Sequence, residues 1–251
     1  MALDNANETG GLKLYVDLGS QPARAVTIFC RVNKIEAHEI GVDLRKLENR
    51  TPEFRKINPM GLVPCIDDHG FKLHESHAIM RYLATTHNVA DHWYPKDPQK
   101  RALVDAALDW HHLNLRKYGS QLVINRVLVK VPAHKNFFPN LGEETRKSLA
   151  DDASKTLPQI LDALELMLEH GKFLHNADLV SIADLSLCCE LTQLQLLDKD
   201  DHKNMLEHRK RITTWMADVK DATNPEFTDV HQAIFNYSKH VEELRAQGNF
   251  F

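Results

Sequence analysis

The chain has little with which to brace itself covalently: four cysteines in 251 residues, Cys30, Cys65, Cys188 and Cys189. None forms a C-x-x-C pair, and the adjacent Cys188 and Cys189 are poor disulfide partners, which argues against a redox dithiol and a zinc knuckle. All four stand in apolar stretches, so buried structural thiols are expected. Glycine and proline, ten of each, are too few for a collagen-like or low-complexity chain. No apolar run approaches the ~18 residues of a membrane span. Charge of one sign is also missing: Lys+Arg 31 against Asp+Glu 35 gives −4 with both signs scattered, so no nucleic-acid partner is expected. The start, Met1 to Glu8, lacks the basic flank and apolar core of a secretory signal. A soluble intracellular protein with a frayed polar leader at 1–11 is the expectation.

Histidine, by contrast, is plentiful at fifteen. There is no H-E-x-x-H, however, and His74-Glu75-Ser76-His77 offers i, i+3 spacing with no third ligand nearby, so no metal is expected. Hydrophobic residues at 43% and charged residues at 26% suit a chain that buries a real core in one large domain or two modest ones.

From Leu12 to Thr86 short strands alternate with helices. Leu12–Asp17 reads as a strand, Pro22–Asn33 as a helix with proline in its first turn, Ala37–Asp43 as a strand and Thr51–Ile57 as a short helix. Pro64–Asp67 and Phe71–Leu73 read as strands joined by a turn at Asp68-His69-Gly70, and Ser76 caps a helix through Leu83. The order β-α-β-α-β-β-α implies a small mixed sheet flanked by helices. Beyond the Pro-marked stretch 89–98 the pattern is helical. Leu103, Ala106, Ala107, Trp110, Leu113 and Leu115 form one series, and Leu149, Ala153, Leu157, Ile160, Leu161, Leu164 and Leu168 a second. Ser181-Ile182-Ala183-Asp184 is a capping box, and Ile212–Val219 and Ile234–Leu244 mark two further helices.

Three features of the first unit bear on chemistry. Ser20 stands between the first strand and the first helix, where unpaired N–H groups and the dipole favour an anion and a hydroxyl can add a bond; it can equally be a plain N-cap. Gly61-Leu62-Val63-Pro64 opens a strand with proline, either as an ordinary edge proline or as a cis turn exposing the Val63 backbone to a peptide-like ligand. Glu75-Ser76 opens the third helix, offering a carboxylate for a ligand ammonium and N–H groups for a ligand carboxylate, or simply a cap.

Joined, these segments resemble the theta-class glutathione transferases, and look most like the plant members. The resemblance is carried by Ser20–Val26, Pro52-Glu53-Phe54 with Ile57-Asn58-Pro59, Gly61–Pro64, Leu73–Ile79, Ala90–Pro95, Leu108–His112 and Ser181–Leu187. It implies a thioredoxin-like glutathione-binding domain at 12–88, a linker at 89–98 and an all-helical domain at 99–251 forming an electrophile pocket. It further implies a homodimer and glutathione as co-substrate. Ser20 matches the catalytic serine. Tyrosine-type relatives carry their catalytic residue where this chain has Val16, and Tyr15, one place off, is expected to face the other way. Cysteine-type relatives, which exchange disulfides, carry Cys at the place of Ser20.

The implied glutathione contacts are Gln21, Leu62, Val63, Pro64, Glu75 and Ser76, with Asn49 and Arg50 toward the glycyl carboxylate. Asn49 departs from the usual residue there, and Leu62 stands where a lysine is common. Arg116, Tyr118 and Gln121 are expected along the electrophile pocket. Conjugation of electrophiles and glutathione-dependent peroxide reduction are the implied activities. A non-catalytic carrier and a transferase-like interaction module are the alternatives. Some plant relatives end in a peroxisomal tripeptide, which Gly248-Asn249-Phe250-Phe251 is not; the cytoplasm is expected, with the nucleus left open.

Overall fold

Alternation along the first strand sorts the two faces of a four-stranded sheet. In the computed structural model, which describes residues 11–134 and 137–248, β1 (Leu12–Val16) turns Leu12, Leu14 and Val16 into the main core. Tyr15 faces the opposite side, against Ile40, Phe54 and Cys65, its ring 6.1 Å from Phe54 and nearly perpendicular to it. Burial pushes its phenol above the ordinary tyrosine range. The expected leader, apart from Gly11, and the last three residues lie outside the described segments.

The chain continues through α1 (Gln21–Val32), β2 (Ala37–Gly41), α2 (Pro52–Arg55), β3 (Cys65–Asp68), β4 (Phe71–His74) and α3 (Ser76–Thr86), the order read from the sequence. The sheet runs β2-β1-β3-β4, with β1 and β2 parallel and the other pairs antiparallel. His69 and Gly70, both at positive φ, make the tight turn between β3 and β4. Register matters for the site. Tyr15 pairs with Cys65 and Cys65 with His74, so the residues after β1, before β3 and after β4 all gather at one end of the sheet.

The second unit is helical: α4 (Pro98–His111), a π-turn at His112–Arg116, α5 (Lys117–Arg126), α6 (Glu143–Met167), α7 (Ile182–Thr192), α8 (Lys199–Leu206), α9 (Lys210–Thr223) and α10 (Glu226–Ala246). Every residue of α7 is buried. Its capping box forms as the sequence predicts, Ser181 and Asp184 satisfying each other's backbone N–H groups, and Asp184 also accepts from Trp215 Nε1 at 2.8 Å. The first helical series needs correcting: Leu103 and Leu113 are exposed, and the inward face runs through Val104, Ala107, Leu108, His111 and Leu115. Leu103 stands next to the inward Val104 within α4 itself, whereas beyond His111 the π-turn adds a residue to the helical turn and shifts the phase, which a fixed 3.6-residue period cannot anticipate.

α1 is buried on almost every side because it lies between the sheet and helices α7 and α10. The 89–98 stretch is anchored rather than loose, since Trp93 is buried with its ring 5.4 Å from Phe29 of α1. All four cysteines are buried and unpaired; burial pushes Cys30, Cys65 and Cys189 up to about 12 and Cys188 well above its ordinary value.

Candidate active site

The loop that carries Ser20 is held by its neighbours' side chains. The Asp17 carboxylate accepts from the backbone N–H of Gly19 at 2.8 Å and of Leu44 at 3.1 Å, and the Ser20 N–H donates to the Asp17 carbonyl at 2.9 Å. From behind, the fully buried Arg24 donates to the carbonyls of Leu18 (2.9 Å) and Cys189 (3.2 Å) and to Gln193 Oε1 (2.8 Å). One guanidinium therefore ties the loop to α7, and burial brings its pKa down to about 10. Ser20 takes the N-cap position of α1 in extended geometry, yet its hydroxyl makes no capping bond, and no acidic residue lies in the first turn. The plain capping role is thus unfilled by the Ser20 hydroxyl, and no side chain of the first turn answers the positive end of α1.

At the same end of the sheet, the Val63–Pro64 peptide is cis. The strand entry is fixed by two asparagines: Asn49 Nδ2 donates to the Gly61 carbonyl at 2.7 Å and Asn58 Nδ2 to that of Leu62 at 2.8 Å. Gly61 sits at φ +65°, and a Cβ there would meet the Asn49 carbonyl oxygen at 2.9 Å, so no larger residue fits.

Ser20, Gln21, Asn49, Leu62 and Val63 line one cavity of about 360 Å³, together with Asp17, Leu44 and Arg45. Such a volume suits a small-molecule ligand. Pro64 is buried behind this wall. Glu75 and Ser76 lie outside the cavity lining, following β4 at the same sheet end. Glu75, not Ser76, takes the cap position of α3, and neither side chain caps it. Glu75 holds φ +72°, a conformation costing a non-glycine residue about 1–2 kcal/mol, while its exposed carboxylate stands 3.6 Å from His74 Nδ1. Ser76 is the buried first residue of the helix.

Arg50 does not reach the cavity. The tight turn at Glu48–Arg50 buries Asn49 and turns Arg50 outward, where its guanidinium donates to the Phe137 carbonyl at 2.7 Å. Arg45 is the cation on the wall instead, and nothing in the sequence separates it from its basic neighbours.

The second wall comes from the helical unit. Arg116, Ser120, Val123 and Ile124 face the cavity at i, i+4, i+7 and i+8, with Phe137, Phe138, Ile234 and Tyr237 among the apolar and aromatic lining. Tyr118 and Gln121 lie off this face. Tyr118 packs on the core beneath Lys117, and Gln121 donates to the Leu149 carbonyl of α6 at 2.7 Å. The Tyr237 hydroxyl is 3.2 Å from His134 Nδ1; burial pushes Tyr237 up to about 12 and His134 down, keeping both neutral.

Sequence reasoning passed over Glu190, a carboxylate on the all-buried α7. Its Oε1 accepts from Gln21 Nε2 (3.2 Å) and the Ser120 hydroxyl (3.1 Å), and its Oε2 from Arg116 (3.0 Å). Burial alone would raise its pKa, but Arg116 and His111 hold it below the usual glutamate value. A second carboxylate, beyond the capping Asp184, in a mainly apolar helix was the available signal. Nearby, His77 Nε2 lies 3.1 Å from His111 Nδ1 with the His112 ring alongside, and burial followed by the neighbouring histidines brings His77 down to about 2. Among the described residues no group of three or more His, Cys, Asp and Glu is arranged to hold a metal.

Residues 10–85 match the family model for the glutathione S-transferase N-terminal domain. Glutathione S-transferase T1 of Arabidopsis thaliana is 43% identical over 240 residues, covering 94% of each chain. Among solved structures, human glutathione-S-transferase T1-1 in its apo form superposes with a TM-score of 0.79 at 32% identity, over 91% of each chain. Human glutathione transferase theta-2, solved in complex with glutathione and an unknown ligand, superposes with a TM-score of 0.78 at 31% identity, over 93% of this chain and 91% of that one. With its mixed sheet, its helical second unit and this level of likeness over nearly its whole length, the chain belongs to the theta-class glutathione transferases.

Proposed function

We propose that the protein binds glutathione against the first wall of the cavity and uses Ser20 to hold its sulfur as thiolate, for attack on electrophiles and on organic hydroperoxides. The observation that carries this reading is the Ser20 hydroxyl, on the cavity wall at the N-terminus of α1 and spent on no cap. The theta-2 relative that holds glutathione supports the choice of ligand.

Magnitudes decide whether a serine suffices. A thiol of pKa ~8.5 is only about 3% ionised at pH 7, and lowering that value by ~2 units requires ~2.7 kcal/mol in favour of the thiolate. A hydrogen bond to a charged group contributes ~1.5–3 kcal/mol, and a helix N-terminus up to ~2. The Ser20 hydroxyl and α1 together meet the requirement without a metal or a general base.

In conjugation, the thiolate forms a C–S bond as the leaving group departs with its electron pair. In peroxide reduction the thiolate attacks one peroxide oxygen and the O–O bond breaks. The alkoxide takes a proton to become the alcohol, and a second glutathione converts the sulfenic acid to disulfide and water. Val63 pairs with the cysteinyl backbone, Glu75 and Ser76 receive the γ-glutamyl end, and Arg45 draws the glycyl carboxylate. Arg116 faces negative charge developing on the second substrate, and Phe137, Phe138, Ile234 and Tyr237 shape the pocket that receives it. The active species is a homodimer working in the cytoplasm.

Passage over immobilised glutathione, followed by assays with an aryl halide and with cumene hydroperoxide, tests the reading. Retention with turnover of either substrate is expected. Retention with turnover of neither turns the assignment toward a carrier, and no retention overturns it.

A further inference from the structure

Three polar groups of the cavity wall, on three separate elements, converge on one side chain that does not itself line the cavity. Gln21 comes from the first turn of α1, Arg116 from the π-turn and Ser120 from α5, and all three donate to the carboxylate of Glu190 on α7. We infer that Glu190 is the positioning residue of this site, fixing Arg116 against the cavity while joining the helix that follows Ser20 to the second wall. The inference rests on the glutathione-transferase reading above.

The geometry favours this over a merely structural ion pair. A carboxylate only accepts, so both of its oxygens can meet donors at once. Glu190 uses that property fully, Oε1 serving Gln21 and Ser120 and Oε2 serving Arg116. Its side chain is 2% exposed, whereas that of Arg116 is 33% exposed. The acid is thus the buried anchor and the base the member that reaches the cavity. Arg116 carries five N–H donors in a rigid fork, and the bond from one terminal nitrogen to Glu190 leaves others to face a ligand. His111 approaches Glu190 Oε2 from α4 at 3.7 Å, too long for a hydrogen bond, so the guanidinium is its main charged partner.

Steady-state kinetics of E190Q, R116Q and the double variant, well below their melting midpoints, test the assignment. Glutamine keeps the shape but surrenders the charge-assisted hold on Arg116. E190Q is expected to lower kcat about tenfold with the KM for glutathione changed less than about twofold. In the R116Q background the same substitution is expected to cost less than about twofold, because what it positions is gone. A structural role would instead lower stability and act alike in both backgrounds. Wild-type kcat in E190Q, or an equal loss in both backgrounds, overturns the assignment. Should E190Q or R116Q fail to fold, E190D carries the test. Aspartate keeps the charge and withdraws it from Arg116 by one methylene, so kcat falls several-fold at unchanged KM for glutathione, and wild-type kcat there overturns the assignment. Absence of turnover by the wild-type protein overturns both this inference and the reading beneath it, whereas an active wild type with an unaffected E190Q overturns this inference alone.

Discussion

The two walls of the cavity are held by different means. On the sheet side, polar side chains are spent on the backbone: Asp17 on Gly19 and Leu44, Asn49 on Gly61, Asn58 on Leu62, and Arg24 on the carbonyls of Leu18 and Cys189. On the helical side, side chains hold one another, with Arg116 and Ser120 on Glu190 and Tyr237 on His134. The first arrangement fixes main-chain positions, which suits a ligand that is itself a peptide. The second fixes side-chain tips on a mainly apolar surface, where substitution alters shape without disturbing the fold. Under the proposed function, the first wall sets the co-substrate and the second sets the electrophile.

Arg24 joins the walls, and its removal is the strongest way to break the comparison. Arg24→Met strands the carbonyls and Gln193 that it serves and is expected to cost about 3 kcal/mol, read as a lowered urea midpoint, with a larger loss of activity than stability alone explains. An unchanged midpoint would show that the walls are held together elsewhere.

Acid probes the packing between the units through two buried histidines, His231 on α10, the helix against α1, and His77 on α3, which meets His111 of α4. Burial is the main cause that brings His231 down to about 3 and His77 to about 2. Both are depressed in the fold, so the unfolded chain binds more protons below its ordinary value of ~6.5, and stability is lost as pH falls from there. Each contributes up to about 1.4 kcal/mol per pH unit through that window. Urea midpoints at pH 7, 6 and 5 are expected to decline steadily, and a flat series would contradict the buried neutral state.

The smallest effect sharpens the comparison within the first wall. Arg45→Ala is expected to raise the KM for glutathione about threefold, and Arg50→Ala to leave it within about twofold, because of these two only Arg45 lines the cavity and exposed charges act weakly. The reverse order would restore Arg50 as the carboxylate partner.

What could be read from the sequence follows the same division. The β-α-β-α-β-β-α order, the Ser181–Asp184 capping box and the turn of Tyr15 to the sheet face opposite Val16 came from local signals: periodicity, cap residues and strand alternation. Ser20 and Val63, which both line the cavity, stood out in the sequence because each sits where an element begins. That Arg45 rather than Arg50 lines the cavity was not legible, because which of several basic residues turns inward depends on the tight turn at 48–50. Tyr118 and Gln121, expected on the pocket through the family resemblance, stand two and five places from Arg116, and the helix turns both away from the face that Arg116, Ser120, Val123 and Ile124 share. Glu190 was missed because its partners, Gln21, Arg116 and Ser120, are 169, 74 and 70 positions away, and only the fold brings them together.

The most direct measurement is an ultraviolet titration of the thiolate of glutathione bound to the wild-type protein and to S20A. Half-ionisation near pH ~6.5 is expected in the wild type, about two units below the free thiol. In S20A glutathione remains bound and the midpoint rises by at least about one unit. Coincident titration curves would mean that the Ser20 hydroxyl does not hold the sulfur.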